Sequence, residues 1–166
     1  MYSKVRIILI SICFLLFSVS VYATDYKQWI PLLPETLGGL AQSGKPDGVN
    51  MEMGGQSWSS LQQKYSNNSE NISMTIVSGS MAPQVQAFQM MSQFQMETET
   101  EVVKTLKVSG HKALFQLNKV EKKGVLMISA NEQALVILEA MSIADEKQMI
   151  KLSKEIPLEE ISASLK

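Results

Sequence analysis

The sequence predicts an α+β fold: a mainly antiparallel sheet of about six strands, with N-terminal, middle and C-terminal helices packed on it. Three observations point there. Lys112–Ala140 reads as three consecutive strands, Ala113–Val120, Val125–Ala130 and Ala134–Ala140, each rich in the aliphatic and β-branched residues that suit a pleated surface. Helical spacing of apolar residues recurs at separate places, around Tyr26, Trp29 and Leu33, around Val85, Phe88 and Met91, and around Met149, Leu152 and Ile156. The order of these patterns is helix, two or three strands, helix, four strands, helix, which suits helices laid on an antiparallel sheet rather than βαβ units.

The amino terminus carries an address. Lys4 and Arg6 precede the apolar run Ile7–Val21, and Val21-Tyr22-Ala23 offers small residues where a signal peptidase reads. A membrane span needs about 20 apolar residues, and this run is shorter. Met1–Ala23 is therefore expected to be a cleavable export signal, with membrane contact only through the uncleaved leader, followed by one α+β domain over 24–166. The lone cysteine, Cys13, lies in the leader, so the exported chain would be held by its core and not by disulfides. That suits a bacterial periplasm. Losing Lys4 and Arg6 with the leader takes the formal charge from −1 to −3, because all sixteen acidic residues stay. With its cations dispersed, the chain shows no nucleic-acid footprint.

Tyr26, Trp29, Ile30 and Leu33 share helical spacing behind Asp25 as a cap, so a short opening helix is expected. Glu35–Gly55, rich in Gly and Pro, reads as a loop with one edge strand at Val49–Met53. Ser57–Ser66 and Ile72–Val77 flank the turn signal Asn67-Asn68-Ser69-Glu70-Asn71 and should form a hairpin. A helix is expected from Ser80 to about Gln95, with Ser80 as its cap and Pro83 in its first turn. Glu97-Thr98-Glu99-Thr100-Glu101 reads as an acidic entry to a strand at Val102–Val108. The carboxyl end has a capping-box pattern at Asp145 and Gln148, and Pro157 restarts the last helix.

Trp29 with Leu32-Leu33-Pro34, Met51–Ser57 with Gly54-Gly55, Ser78-Gly79-Ser80-Met81 opening a Met-bearing helix, Gly110 before the three strands, and Ile156-Pro157-Leu158 together resemble a group of small exported bacterial proteins of unknown function. The likeness spans most of Asp25–Leu165 and implies export and an α+β fold, but no catalytic residue. In outline the element order is also similar to Mog1/PsbP-like domains, which implies nothing about activity.

Catalytic chemistry is hard to build here, and no catalytic residue is expected. Nucleophilic catalysis needs a base beside the nucleophile, and His111 is the sole histidine, placed in a Ser-Gly-His turn that reads as surface. Zinc needs several Cys or His ligands. Glu97, Glu99 and Glu101 on one strand face suit a solvated edge better than a calcium or glycosidase site. Methionine is the unusual item. Met51, Met53, Met90, Met91 and Met96 are candidate thioether ligands for Cu(I), against the plainer reading that methionine fills gaps in the core. The functional expectation is a non-enzymatic exported protein that binds an envelope protein or a small apolar ligand and needs no cofactor, with Met-based Cu(I) binding as the alternative. The strands Val125–Ile128 and Leu135–Leu138 are apolar on both faces and so should be central.

Overall fold

The computed structural model describes residues 25–165; the leader expected at 1–23 lies outside them. Nine antiparallel strands form one sheet: β1 (Thr36–Leu37), β2 (Leu40–Met53), β3 (Gln56–Ser66), β4 (Asn71–Ser78), β5 (Met96–Glu97), β6 (Glu101–Val108), β7 (His111–Asn118), β8 (Lys123–Asn131) and β9 (Ala134–Ala140). Their order is β1-β2-β3-β4-β9-β8-β7-β6-β5, two meanders joined along β4 and β9. A 3-10 helix (Tyr26–Leu32) precedes the sheet, α1 (Pro83–Met91) links the meanders, and α2 (Glu146–Ser153) and α3 (Leu158–Ser164) close the chain. The fold is α+β with an antiparallel sheet, as expected, but of nine strands and not about six.

The structure has more strands than expected where local chemistry argues against them. Residues 44–48 include Gly44, Pro46 and Gly48, yet β2 runs through them for fourteen residues. It does so with a bulge: Ser43 pairs Lys64 and Asp47 pairs Gln62, so Gly44, Lys45 and Pro46 together oppose Gln63. Pro46 needs no ladder hydrogen bond there, and Gly44 takes φ +75°. The acidic stretch is a hairpin turn, not a strand entry. Glu97 lies in β5 and Glu101 in β6, and Thr98 N–H donates to Glu101 O at 2.8 Å.

Alternation along the central strands divides the core in two. Ile72, Met74 and Ile76 of β4, Val136 and Leu138 of β9, and Leu126 and Ile128 of β8 face the 3-10 helix, α2 and α3, where Trp29, Met149, Ile161 and Leu165 meet them. On the opposite face Val77, Leu135, Ile137, Leu114 and Val103 pack with Val85 and Phe88 of α1. Helix α1 and the C-terminal helices thus cover opposite faces, whereas both-face apolar strands alone require two covers without assigning them.

Local signals set the ends. Asp25 caps the 3-10 helix by accepting from Lys27 N–H at 3.1 Å. Asn67 Oδ1 accepts from Ser69 and Glu70 N–H at 2.9 and 2.8 Å, closing the β3–β4 turn. Asp145 accepts from Gln148 N–H at 3.2 Å, and the Gln148 side chain accepts from Ala144 N–H at 2.7 Å, one residue earlier than a strict capping box. Helix α1 begins after Ala82 without a side-chain cap, and Pro83 occupies its first turn.

Tyr65 is fully buried and its hydroxyl donates to Pro34 O at 2.9 Å. Burial pushes its phenol up from 10.0 to about 12, with Gln42 pulling the other way. Below pH 10 the phenol is neutral whether the chain is folded or not; above it the unfolded chain ionises first, so stability falls as pH rises toward the folded value of about 12. The expected loss is on the order of 2 kcal/mol across that window. Stability measured against pH should show it, and Tyr65→Phe should remove this part of the slope.

Candidate functional site

Helix α1 is nine residues long, about 13 Å, and lies across a sheet several times wider. It leaves part of its face uncovered. Alongside it are two depressions, of about 270 and 380 Å³. The first is lined by Asp47, Val49, Ser60, Gln62, Thr75, Gln84, Ile137 and Glu139. The second is lined by Met91, Met96, Val103, Gln116 and Val125, with Glu101, Glu121 and Lys123 at its margin. Glu139 in the first and Val125 in the second are direct cross-strand partners, so the two depressions adjoin across β8 and β9 and are together called the trough. Gln84 and Met91, seven positions apart on α1, are two turns apart on one side of the helix and wall the trough at its two ends.

The second depression is mainly apolar and the first mainly polar. Lys123 Nζ and Glu139 Oε2 pair at 2.9 Å. The hydrogen bond that Lys123 donates to Glu139, and the charge of that carboxylate, raise the ammonium's pKa above its ordinary value. Gln116 donates to Met91 Sδ at 3.6 Å, and Gln62 to Thr75 Oγ1 at 3.4 Å. Gln84 Oε1 is buried and has no hydrogen-bond partner among the described residues. It is an acceptor at the polar end of the trough.

The five methionines do not form one cluster. Met51 and Met53 lie on β2, exposed beside Trp58, whereas Met91 and Met96 line the depression at the β5–β7 end. Seven strand spacings separate β2 from β5, roughly 30 Å along the sheet, far beyond any shared coordination sphere. Met90, on α1, is 73% exposed. Core packing does account for Met74 and Met149, which are fully buried.

His111 is not a free surface residue. Its Nδ1 lies 2.9 Å from Ser129 O and its Nε2 3.2 Å from Glu159 Oε1, so the ring ties β7 to β8 and to α3. Both neighbours are acceptors, and a neutral imidazole donates to one of them only. No hydroxyl or thiol is among the ring's hydrogen-bond partners in the described residues. Lys119 grips Glu97 at 3.0 Å and holds its carboxyl below the usual range. Among the described residues no group of three or more His, Cys, Asp or Glu side chains is placed to hold a metal ion, and no helix is long and apolar enough to cross a membrane.

A further depression of about 590 Å³ lies between the β1–β2 turn, the end of β9 and α2. Two of the polar side chains around it are engaged: Gly38 N–H donates to Glu155 Oε2 at 2.8 Å, and Gln148 accepts from Ala144 N–H at 2.7 Å. No protein-family model, curated protein or solved structure matches the chain.

Proposed function

We propose that the chain is an exported, periplasmic, non-enzymatic protein that binds an apolar segment of an envelope partner in the trough beside α1. The observation that carries this reading is the half-covered floor itself. Val125 and Met91 form a half-buried apolar stretch, adjoined by a polar end where the Gln84 side chain can turn outward to offer its unpartnered, buried Oε1 to a peptide N–H. Methionine suits such a surface because its flexible thioether repacks against varied side chains.

Fluorescence of an anilinonaphthalene sulfonate probe, followed by titration with alternately apolar ten-residue peptides, tests it. Val125→Glu places a carboxylate on the floor opposite Glu139 and should weaken binding at least tenfold with thermal stability little changed. Ile30→Glu, at a site 42% exposed on the 3-10 helix of the opposite face, should leave binding as it was. Equal affinities of wild type and Val125→Glu would reject the trough as the site. The copper reading retains Met91 and Met96, the two thioethers that line one depression. The Met91→Leu/Met96→Leu double variant separates the readings: leucine keeps apolar volume and so peptide binding, but abolishes thioether ligation of Cu(I) in an anaerobic titration.

A further inference from the structure

The outer edge of β2 is open. β1 pairs only with Leu40 and Ala41, and among the described residues no strand pairs the remaining twelve residues of β2 on that side. From Ser43 to Asp47 the bulge with Lys45 and Pro46 spoils the edge for pairing. From Gly48 to Met53 it is regular, each residue in register with β3 from Leu61 to Gln56.

The turn that ends β2 fixes which backbone groups face outward. Gly54 and Gly55 both have positive φ, +62° and +76°, making a two-residue hairpin loop closed by Met53 and Gln56. In such a loop the closing pair exchanges hydrogen bonds, and pairs alternate from there. Met53, Met51 and Val49 therefore bond to β3, while the N–H and C=O groups of Glu52, Asn50 and Gly48 point out from the edge. On the face shared with the trough the same segment exposes Val49, Met51 and Met53 at 40, 46 and 71%. Long, regular, apolar edges of this kind are ordinarily covered or blunted.

The segment is self-complementary. We propose that β2 pairs with β2 of a second copy, antiparallel about a two-fold axis at Asn50. That register opposes Gly48 to Glu52 and Asn50 to Asn50, all outward-facing, so six backbone hydrogen bonds form. It sets Val49 against Met51 twice on the trough face. The two Glu52 carboxylates are then offset by four residues, about 13 Å, beyond the screening length at physiological salt. Asn50 Nδ2 donates one hydrogen to Asp25 at 2.9 Å and keeps its second for the same residue across the axis. Pairing of this length buries on the order of 1,000 Å² in all, the lower bound for a specific interface, so the dimer is weak and reversible. It fuses two nine-stranded sheets into one. Because Asp47 and Val49 also line the trough, the troughs of the two copies meet at the axis.

Sedimentation equilibrium of the purified protein tests this without reference to ligand. A monomer–dimer equilibrium with a dissociation constant of about 10–100 μM is expected, as for small transient interfaces. Glu52→Pro removes an outward N–H without touching the β2–β3 ladder and should leave a monomer with unchanged circular dichroism. Met51→Lys sets an ammonium against Val49 of the second copy and should weaken the dimer at least tenfold, which keeps the test valid if the proline variant misfolds. A wild-type monomer at the top of that concentration range, a dimer indifferent to Met51→Lys, or open-ended polymers would each overturn the proposal.

Discussion

Gly79→Ala is expected to destabilise the fold by about 4 kcal/mol, enough to leave the variant largely unfolded in a domain of ordinary stability. Gly79 joins β4 to the segment that opens α1 at φ +124°, a backbone conformation open to glycine and costly for alanine. The added Cβ would lie 2.5 Å from Ser57 O and 2.6 and 2.7 Å from Trp58 Cβ and Cα. Two of those atoms are backbone, so no side-chain rotation relieves the clash. β3 would have to move away from β4 where Ser59 pairs Ser78. Gly79 N–H also donates to Gln133 O at 2.8 Å, and Gly79 O accepts from Ala82 N–H at 3.0 Å, so the same shift loosens the β8–β9 turn and the start of α1. Gly110→Ala is the control. Gly110 has φ +87° but nothing within 4 Å of its added Cβ, so only conformational strain of about 1 kcal/mol is expected. Urea unfolding of both variants, with unchanged m-values, isolates the steric part.

Legibility in the sequence followed locality. β9 runs from Ala134 to Ala140 as its apolar run, interrupted only by Glu139, predicts, and Asp145 caps α2 as its spacing to Gln148 predicts. Those signals lie within one element. The edge strand expected at Val49–Met53 is the last part of β2, whereas the evidence for the part before it is tertiary: Gly48 has a place in a strand because the Tyr26 ring sits where its Cβ would be, 2.2 Å from the nearest ring atom. The side on which each helix lands was likewise hidden. Leu135 and Val136 show that β9 needs two covers, but only the crossing from β4 to β5 puts α1 opposite α2 and α3. The trough draws on β2, β3, β4, β9, β8, β7, β6, β5 and α1, brought together by register and not by spacing. Met91 and Met96 stood out in the sequence by their chemistry. Gln84, Gln116 and Glu139 carried no signal, because an exposed-looking glutamine becomes an unpaired buried acceptor only when a helix is laid against a sheet.

Trp29→Ala should cost about 3–5 kcal/mol, whereas Trp29→Phe should cost less than about 1.5. Trp29 is fully buried and is the one buried residue within the 3-10 helix, which it anchors on β3. Truncation to alanine leaves a large cavity in the main core and frees the helix. Tyr26 would then leave Gly48, and the Asp25–Asn50 hydrogen bond would be lost with it. Phenylalanine keeps most of the apolar contact and removes the indole N–H. That N–H is buried with no protein partner, and so is the Gln63 Oε1 acceptor, although Gln63 Nε2 donates to Lys64 O at 2.7 Å. Deleting an unsatisfied donor offsets part of the lost area, which is why the phenylalanine variant should be mild. Thermal and urea unfolding decide the matter. Should Trp29→Phe cost as much as Trp29→Ala, the indole N–H is bonded in solution, and the double variant Trp29→Phe/Gln63→Leu would show whether Gln63 shares that bond through a buried water.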